Sequence, residues 1–204
     1  PADIEIALKK TPGITAVFTT QCETSTGVVH DIKSISPLVK KYGALMIVDS
    51  ITGIGVHQFL MDEWNIDVAI TGSQKGCMMP PGLAFVCVNS SAWGVIEKAD
   101  LPRYYWDFRK MRKDLKDKTT PFTPAVSLVM AMKTAMDMVK KEGLENVWKR
   151  HARLAHATRE GAKALGLELF AGEYASNVLT AIKAPKGIDV DKIIKKLRDE
   201  TGVT

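Results

Sequence analysis

The sequence has no apolar run of membrane-spanning length, and no signal peptide opens it. A cytoplasmic protein with no membrane partner is the expectation. Cysteines are few: Cys22, Cys77 and Cys87 are odd in number and lack metal-ligand spacing. A disulfide framework and a zinc site are therefore not expected, nor is any other metal. Charge of one sign is scarce too. The formal net charge is only +5, and basic residues are interleaved with acids, so there is no stripe suited to nucleic acid. A glycine-rich loop opening a helix, the usual cradle for a phosphate, is also missing.

What remains is an ordinary globular composition, 46% hydrophobic and 25% charged over 204 residues. That length buries a real core and suffices for one or two domains. The apolar run Ala44-Leu45-Met46-Ile47-Val48 ends in Asp49-Ser50. A second run, Asp67-Val68-Ala69-Ile70, ends in Thr71-Gly72-Ser73-Gln74-Lys75-Gly76. Short, continuous, β-branched runs suit strands of a parallel sheet buried on both faces. Functional groups of open α/β sheets gather beyond the carboxyl ends of such strands, which directs Asp49 and Lys75 towards one crevice. A lysine and a carboxylate so placed suit pyridoxal phosphate, which needs an amine for a Schiff base and an acid for its ring nitrogen. A lysine desolvated in a pocket can supply the neutral amine. From spacing alone, a solvated loop lysine and a strand-end turn residue fit equally well.

Four ordered stretches carry a resemblance. Thr71-Gly72-Ser73-Gln74-Lys75-Gly76 with Pro80-Pro81-Gly82-Leu83 resembles the lysine segment of class V aminotransferases. Their alanine–glyoxylate and serine–glyoxylate (serine–pyruvate) branch is nearest. Glu23-Thr24-Ser25-Thr26-Gly27-Val28 resembles the segment near the cofactor's ring oxygen, and Val48-Asp49-Ser50 the ring-nitrogen segment. Thr123-Pro124-Ala125-Val126-Ser127-Leu128, then Gly143-Leu144-Glu145-Asn146-Val147-Trp148, resembles the stretch leaving the large domain. The resemblance implies an α/β, fold-type I enzyme that uses pyridoxal 5'-phosphate to transaminate small amino acids and 2-oxo acids. It implies catalytic roles for Lys75 and Asp49. It implies cofactor contacts for Thr24, Asp49, Ile51, Gln74, Lys75 and, on the partner subunit's cofactor, Thr123. A homodimer with shared sites is implied as well. Thr120 stands where some relatives carry a phosphate-binding tyrosine. Rival readings are aminoethylphosphonate transamination and a catalytically idle assembly subunit, such as the hydrogenase-associated proteins of this branch. Glutamine rather than histidine before Lys75 argues against a cysteine desulfurase.

Along the chain, residues 4–10 read as a helix end and residues 16–20 as a buried strand. Residues 32–42 read as a helix stopped by Gly43, tolerating Pro37 if it starts near Ser34 to Ser36. Strands are expected at 83–88, 167–170 and 178–184. Helices are expected from Thr123 with Pro124 just inside, over 144–165, and over 190–200 with Asp189 as cap. Met130, Met132, Met136 and Met138 read as core packing. Cys77 reads as a buried small hydrophobe and His57 as structural. His151 and His156, five apart, do not share a helix face for a metal. Tyr104-Tyr105-Trp106-Asp107-Phe108 and the basic run after it read as a solvated helix with an aromatic contact anchor. The expected division is a partial large domain over 1–141 and the start of a small α+β domain over 142–204. The start at Pro1, and a stop where the next strand is due, read as the centre of a longer chain.

Overall fold

Branched side chains pack well on a pleated surface, and the apolar runs form strands accordingly. The computed structural model describes residues 1–203. Helix α1 (Ala2–Lys10) leads to strand β1 (Ala16–Thr20) and then to a short antiparallel pair, β2 (Cys22–Glu23) and β3 (Val28–Val29). Helix α2 (Ile32–Lys41) precedes β4 (Leu45–Asp49), followed by β5 (Val68–Gly72) and β6 (Ala84–Val88). The sheet order is β1-β4-β5-β6, with the first three strands parallel and β6 antiparallel. This is the mostly parallel α/β architecture expected.

One face of the sheet buries Met46 and Val48 against Leu8, Ile32, Ile35 and Val39 of α1 and α2. The other face departs from the expectation of burial on both sides. Phe18 is 75% exposed there and Val86 38% exposed. Register puts Phe18 opposite Ile47, so the uncovered side chain belongs to a continuous apolar face. Val68, in register with Ile47 on the same face, is buried, so the face is open only in part. Below β5, Asp67 is fully buried and joins four elements. It accepts from Lys40 Nζ at 2.6 Å, from the Met46 N–H at 2.6 Å and from Asn89 Nδ2 at 2.9 Å. Asn89 in turn caps α3 (Ser90–Ile96).

Helix α2 begins earlier than Pro37 suggests. Asp31 caps it by accepting the Ser34 N–H at 3.0 Å, which puts Pro37 in the second turn. Proline removes the bond to the Lys33 carbonyl. Lys33 and Pro37 are both exposed, so water can serve that carbonyl.

Helix α4 (Phe108–Lys116) carries the basic run, and α5 (Val126–Glu142) and α6 (Leu144–Ala164) pack together. Helix α5 starts later than expected, because its first bond runs from the Val129 N–H to the Ala125 carbonyl. Pro124 therefore lies ahead of the helix and holds Thr123 in non-helical backbone. Met130 and Met138 are 69% and 59% exposed, against the expected core role. The strands expected at 167–170 and 178–184 reduce to one bridge, Leu169 with Ile182. Among the described residues no further strand flanks that pair, and an isolated pair is marginal. A short 3-10 turn (Gly172–Tyr174) and α7 (Val190–Thr201), capped by Asp189, complete the described chain.

Candidate active site

The carboxyl ends of β1, β4 and β5 lie along one sheet edge. Thr20 pairs with Asp49, and Asp49 with Ile70. Backbone bonds carry this pairing into the loops: the Gln21 N–H donates to the Asp49 carbonyl, and the Ser50 N–H to the Ile70 carbonyl, both at 2.8 Å. Three loops therefore leave side by side, bearing Thr24, Asp49 with Ile51, and Gln74 with Lys75.

Side chains lock these loops. The buried Ser50 hydroxyl donates to Gln21 Oε1, and Gln21 Nε2 donates to the Gln58 carbonyl at 3.0 Å. Thr24 and Thr52 share a hydrogen bond of 2.8 Å. Within the lysine loop, fully buried Ser73 donates to the Pro80 carbonyl at 2.7 Å and accepts the Leu83 N–H at 3.2 Å. Gly55, at φ +87°, lies directly on the Gly76 backbone. Thr52, Gln21 and Ser73 were not legible as site residues in the sequence. The one available signal was a hydroxyl three residues beyond the strand-end acid.

Asp49 is half-buried, and its Oδ1 accepts the Ile51 N–H at 2.9 Å. Its second oxygen has no donor among the described residues. Lys75 and Gln74 are exposed, against the expected desolvated pocket around the lysine. Lys75 makes no ion pair among the described residues. On one side it lines a cavity of about 740 Å3 with apolar walls from Val56, Met78 and Val178. Ile51 is half-buried. Thr123 is exposed, and no hydrogen bond joins it to the strand-edge group among the described residues.

Cys77 is buried, and burial pushes its thiol up. His57 ties the loop after Asp49 to the C-terminal region. Its Nε2 accepts the Asn177 N–H at 3.1 Å and pairs with the Ser176 hydroxyl at 2.9 Å. Burial, then the nearby His151 and Arg159, lower His57 from 6.5 to about 4. Neutral Nε2 is the acceptor these contacts need.

The sequence profile of the family described as aminotransferase class-V matches residues 2–204. The chain belongs to the class-V aminotransferase family. A Synechococcus protein named the small subunit of a soluble hydrogenase is 49% identical over 180 residues, 87% of this chain and 47% of that protein. A serine–glyoxylate aminotransferase of Methylorubrum extorquens is 40% identical over 206 residues, 96% of this chain and 51% of that protein. The crystal structure of an alanine–glyoxylate aminotransferase from Nostoc superposes with a TM-score of 0.92 at 26% identity, covering 98% of this chain and 54% of that one. The chain thus spans about half the length of the relatives it matches. Its architecture is that of fold-type I aminotransferases.

The donor set of this class-V chain fits pyridoxal phosphate. It offers an exposed amine, a carboxylate oxygen without a donor among the described residues and an exposed hydroxyl, all at or beyond strand ends along one sheet edge.

Proposed function

We propose that the protein containing this chain is a pyridoxal-phosphate-dependent transaminase acting between alanine or serine and glyoxylate or pyruvate. The observation that carries this reading is the level alignment of Thr20, Asp49 and Ile70, which brings three functional loops to one edge. Family membership and the named transaminase relatives support it.

Lys75 would hold the cofactor through its amine and, once displaced from it by the substrate's amino group, would take a proton from the substrate α-carbon as base and return one as acid. Asp49 would keep the ring nitrogen protonated with its unpartnered oxygen. Thr24 would bind the ring oxygen, Ile51 would pack against the ring and Gln74 would contact the phosphate. Bound pyridoxal phosphate supplies an electron-withdrawing ring that stabilises negative charge at the substrate α-carbon. In a cytoplasmic homodimer, Thr123 serves the phosphate of the partner's cofactor. A large domain over 1–141 and a small one beginning at 142 complete the reading.

The hydrogenase-subunit name of a 49% identical relative supports a second reading, an assembly subunit without turnover. One experiment separates them. Full-length protein with pyridoxal phosphate should show a visible absorbance band that alanine or serine bleaches and glyoxylate restores. No band, or a band that amino donors leave unchanged, would favour the second reading.

A further inference from the structure

Thr52 is 6% exposed, and its hydroxyl has one hydrogen-bond partner among the described residues, the Thr24 hydroxyl at 2.8 Å. The bond crosses from the loop after β4 to the loop after β1, between residues 28 apart in sequence. Either oxygen could donate, and the surroundings decide which. A buried hydroxyl hydrogen without an acceptor is costly. If Thr24 donated, the Thr52 hydrogen would have no acceptor. Thr24 is exposed and can direct its own hydrogen outwards. The satisfied arrangement therefore has Thr52 donating to Thr24 and Thr24 donating away from the protein. Donating while accepting also strengthens the outward bond, since linked hydrogen bonds polarise one another.

We infer that Thr52 is a positioning residue that fixes Thr24 as an outward hydrogen-bond donor towards an anionic oxygen of the bound ligand. The inference rests on the proposed pyridoxal phosphate site, where that oxygen is the phenolic one. Thr52 itself touches no reacting atom.

The test uses the full-length protein with Thr52→Val, Thr52→Ser, Thr24→Val and the double Thr24→Val/Thr52→Val variant. Pyridoxal phosphate is titrated into each apoprotein, and the pH midpoint of the bound cofactor's visible absorbance is recorded. Hydrogen bonding to an anion favours the deprotonated form, so losing the donor should raise the midpoint. Thr52→Val should weaken binding about three- to tenfold, the scale of one hydrogen bond, and raise the midpoint. Thr52→Ser should restore both. The double variant should resemble Thr24→Val alone, since Thr52 acts through Thr24. A Thr52→Val midpoint equal to wild type, beside a shifted Thr24→Val, overturns the inference and leaves the cofactor site standing. Additive losses in the double variant overturn it too. Wild-type protein that binds no pyridoxal phosphate overturns both. Loss of folding in Thr52→Val would be seen by melting, and the Thr52→Ser midpoint then decides: wild-type supports the inference, shifted overturns it.

Discussion

Gly76 has no room for a methyl group, because the Ile54 carbonyl oxygen stands 2.0 Å from where its Cβ would lie. The contact joins the loop after Asp49 to the loop of Lys75, backbone against backbone. Neither side is the tip of a flexible side chain, so one loop must move to relieve a clash. The residue that carries the amine is thereby held in register with the residue that carries the acid.

Gly76→Ala should therefore cost about 1–3 kcal/mol of stability, the usual scale of overpacking. Urea unfolding of the full-length variant measures it. The same variant should react more slowly at Lys75 with pyridoxal phosphate, followed by borohydride trapping and peptide mapping. Wild-type stability and trapping rate would show that the two loops are not locked.

Asp67 should be the most sensitive polar position in the sheet. Asp67→Ala removes the partner of Lys40, of the Met46 N–H and of Asn89 at once. Breaking a buried pair from one side typically costs 3–5 kcal/mol. Lys40 keeps 24% exposure and can turn to water, so about 3 kcal/mol is expected, read from the urea midpoint. A loss below about 1 kcal/mol would mean that the other partners find water unaided.

That Asp49 and Lys75 stand at strand ends is legible in the sequence, because each follows a short branched apolar run; a chemical role is not, since a solvated loop lysine and a turn residue fit the same spacing. Thr52 is not legible, since its burial depends on residues 50–58 folding back over Gln21, a long-range event without local pattern. The periodicity of α5 is equally ambiguous. It marks apolar positions, yet Met130 and Met138 among them are exposed. Phe18 teaches the same lesson in the sheet: a branched run predicts a strand, not which face its neighbours cover. The apolar runs around Leu169 and Ile182 read as strands, yet without a flanking strand they hold a single bridge.

His57 should make the fold sensitive to acid. The unfolded chain takes up this proton near the ordinary value of 6.5, while the folded chain resists until about 4. The stability contributed by neutral His57 is therefore whole above pH 6.5, is lost as pH falls towards 4, and changes no further below. The span corresponds to at most about 3 kcal/mol, less for a side chain that water partly reaches. His57→Gln should lose part of the wild-type difference between urea midpoints at pH 7 and pH 4.5. An unchanged difference would assign the acid sensitivity to other groups.

Asp49→Asn tests the chemistry most directly. The amide keeps the shape of the carboxylate and can still accept the Ile51 N–H, now found at 2.9 Å, so the loop should hold. It cannot supply the negative charge that keeps a ring nitrogen protonated, and without that charge the ring is a poor electron sink. In the proposed transamination, kcat should fall by about two orders of magnitude or more, the scale of a lost acid–base partner. Binding of pyridoxal phosphate should fall far less, because the Lys75 amine and the phosphate contacts remain. Lys75→Ala should give a different pattern, losing turnover and the covalent attachment together. It removes the covalent attachment, while its exposed position at a loop leaves the core untouched, so the melting temperature should stay near wild type. Cofactor content after borohydride treatment, stopped-flow turnover with alanine and glyoxylate, and thermal melts separate the two variants. Near-normal kcat in Asp49→Asn would remove Asp49 from its role, and cofactor trapped on another lysine in Lys75→Ala would remove Lys75.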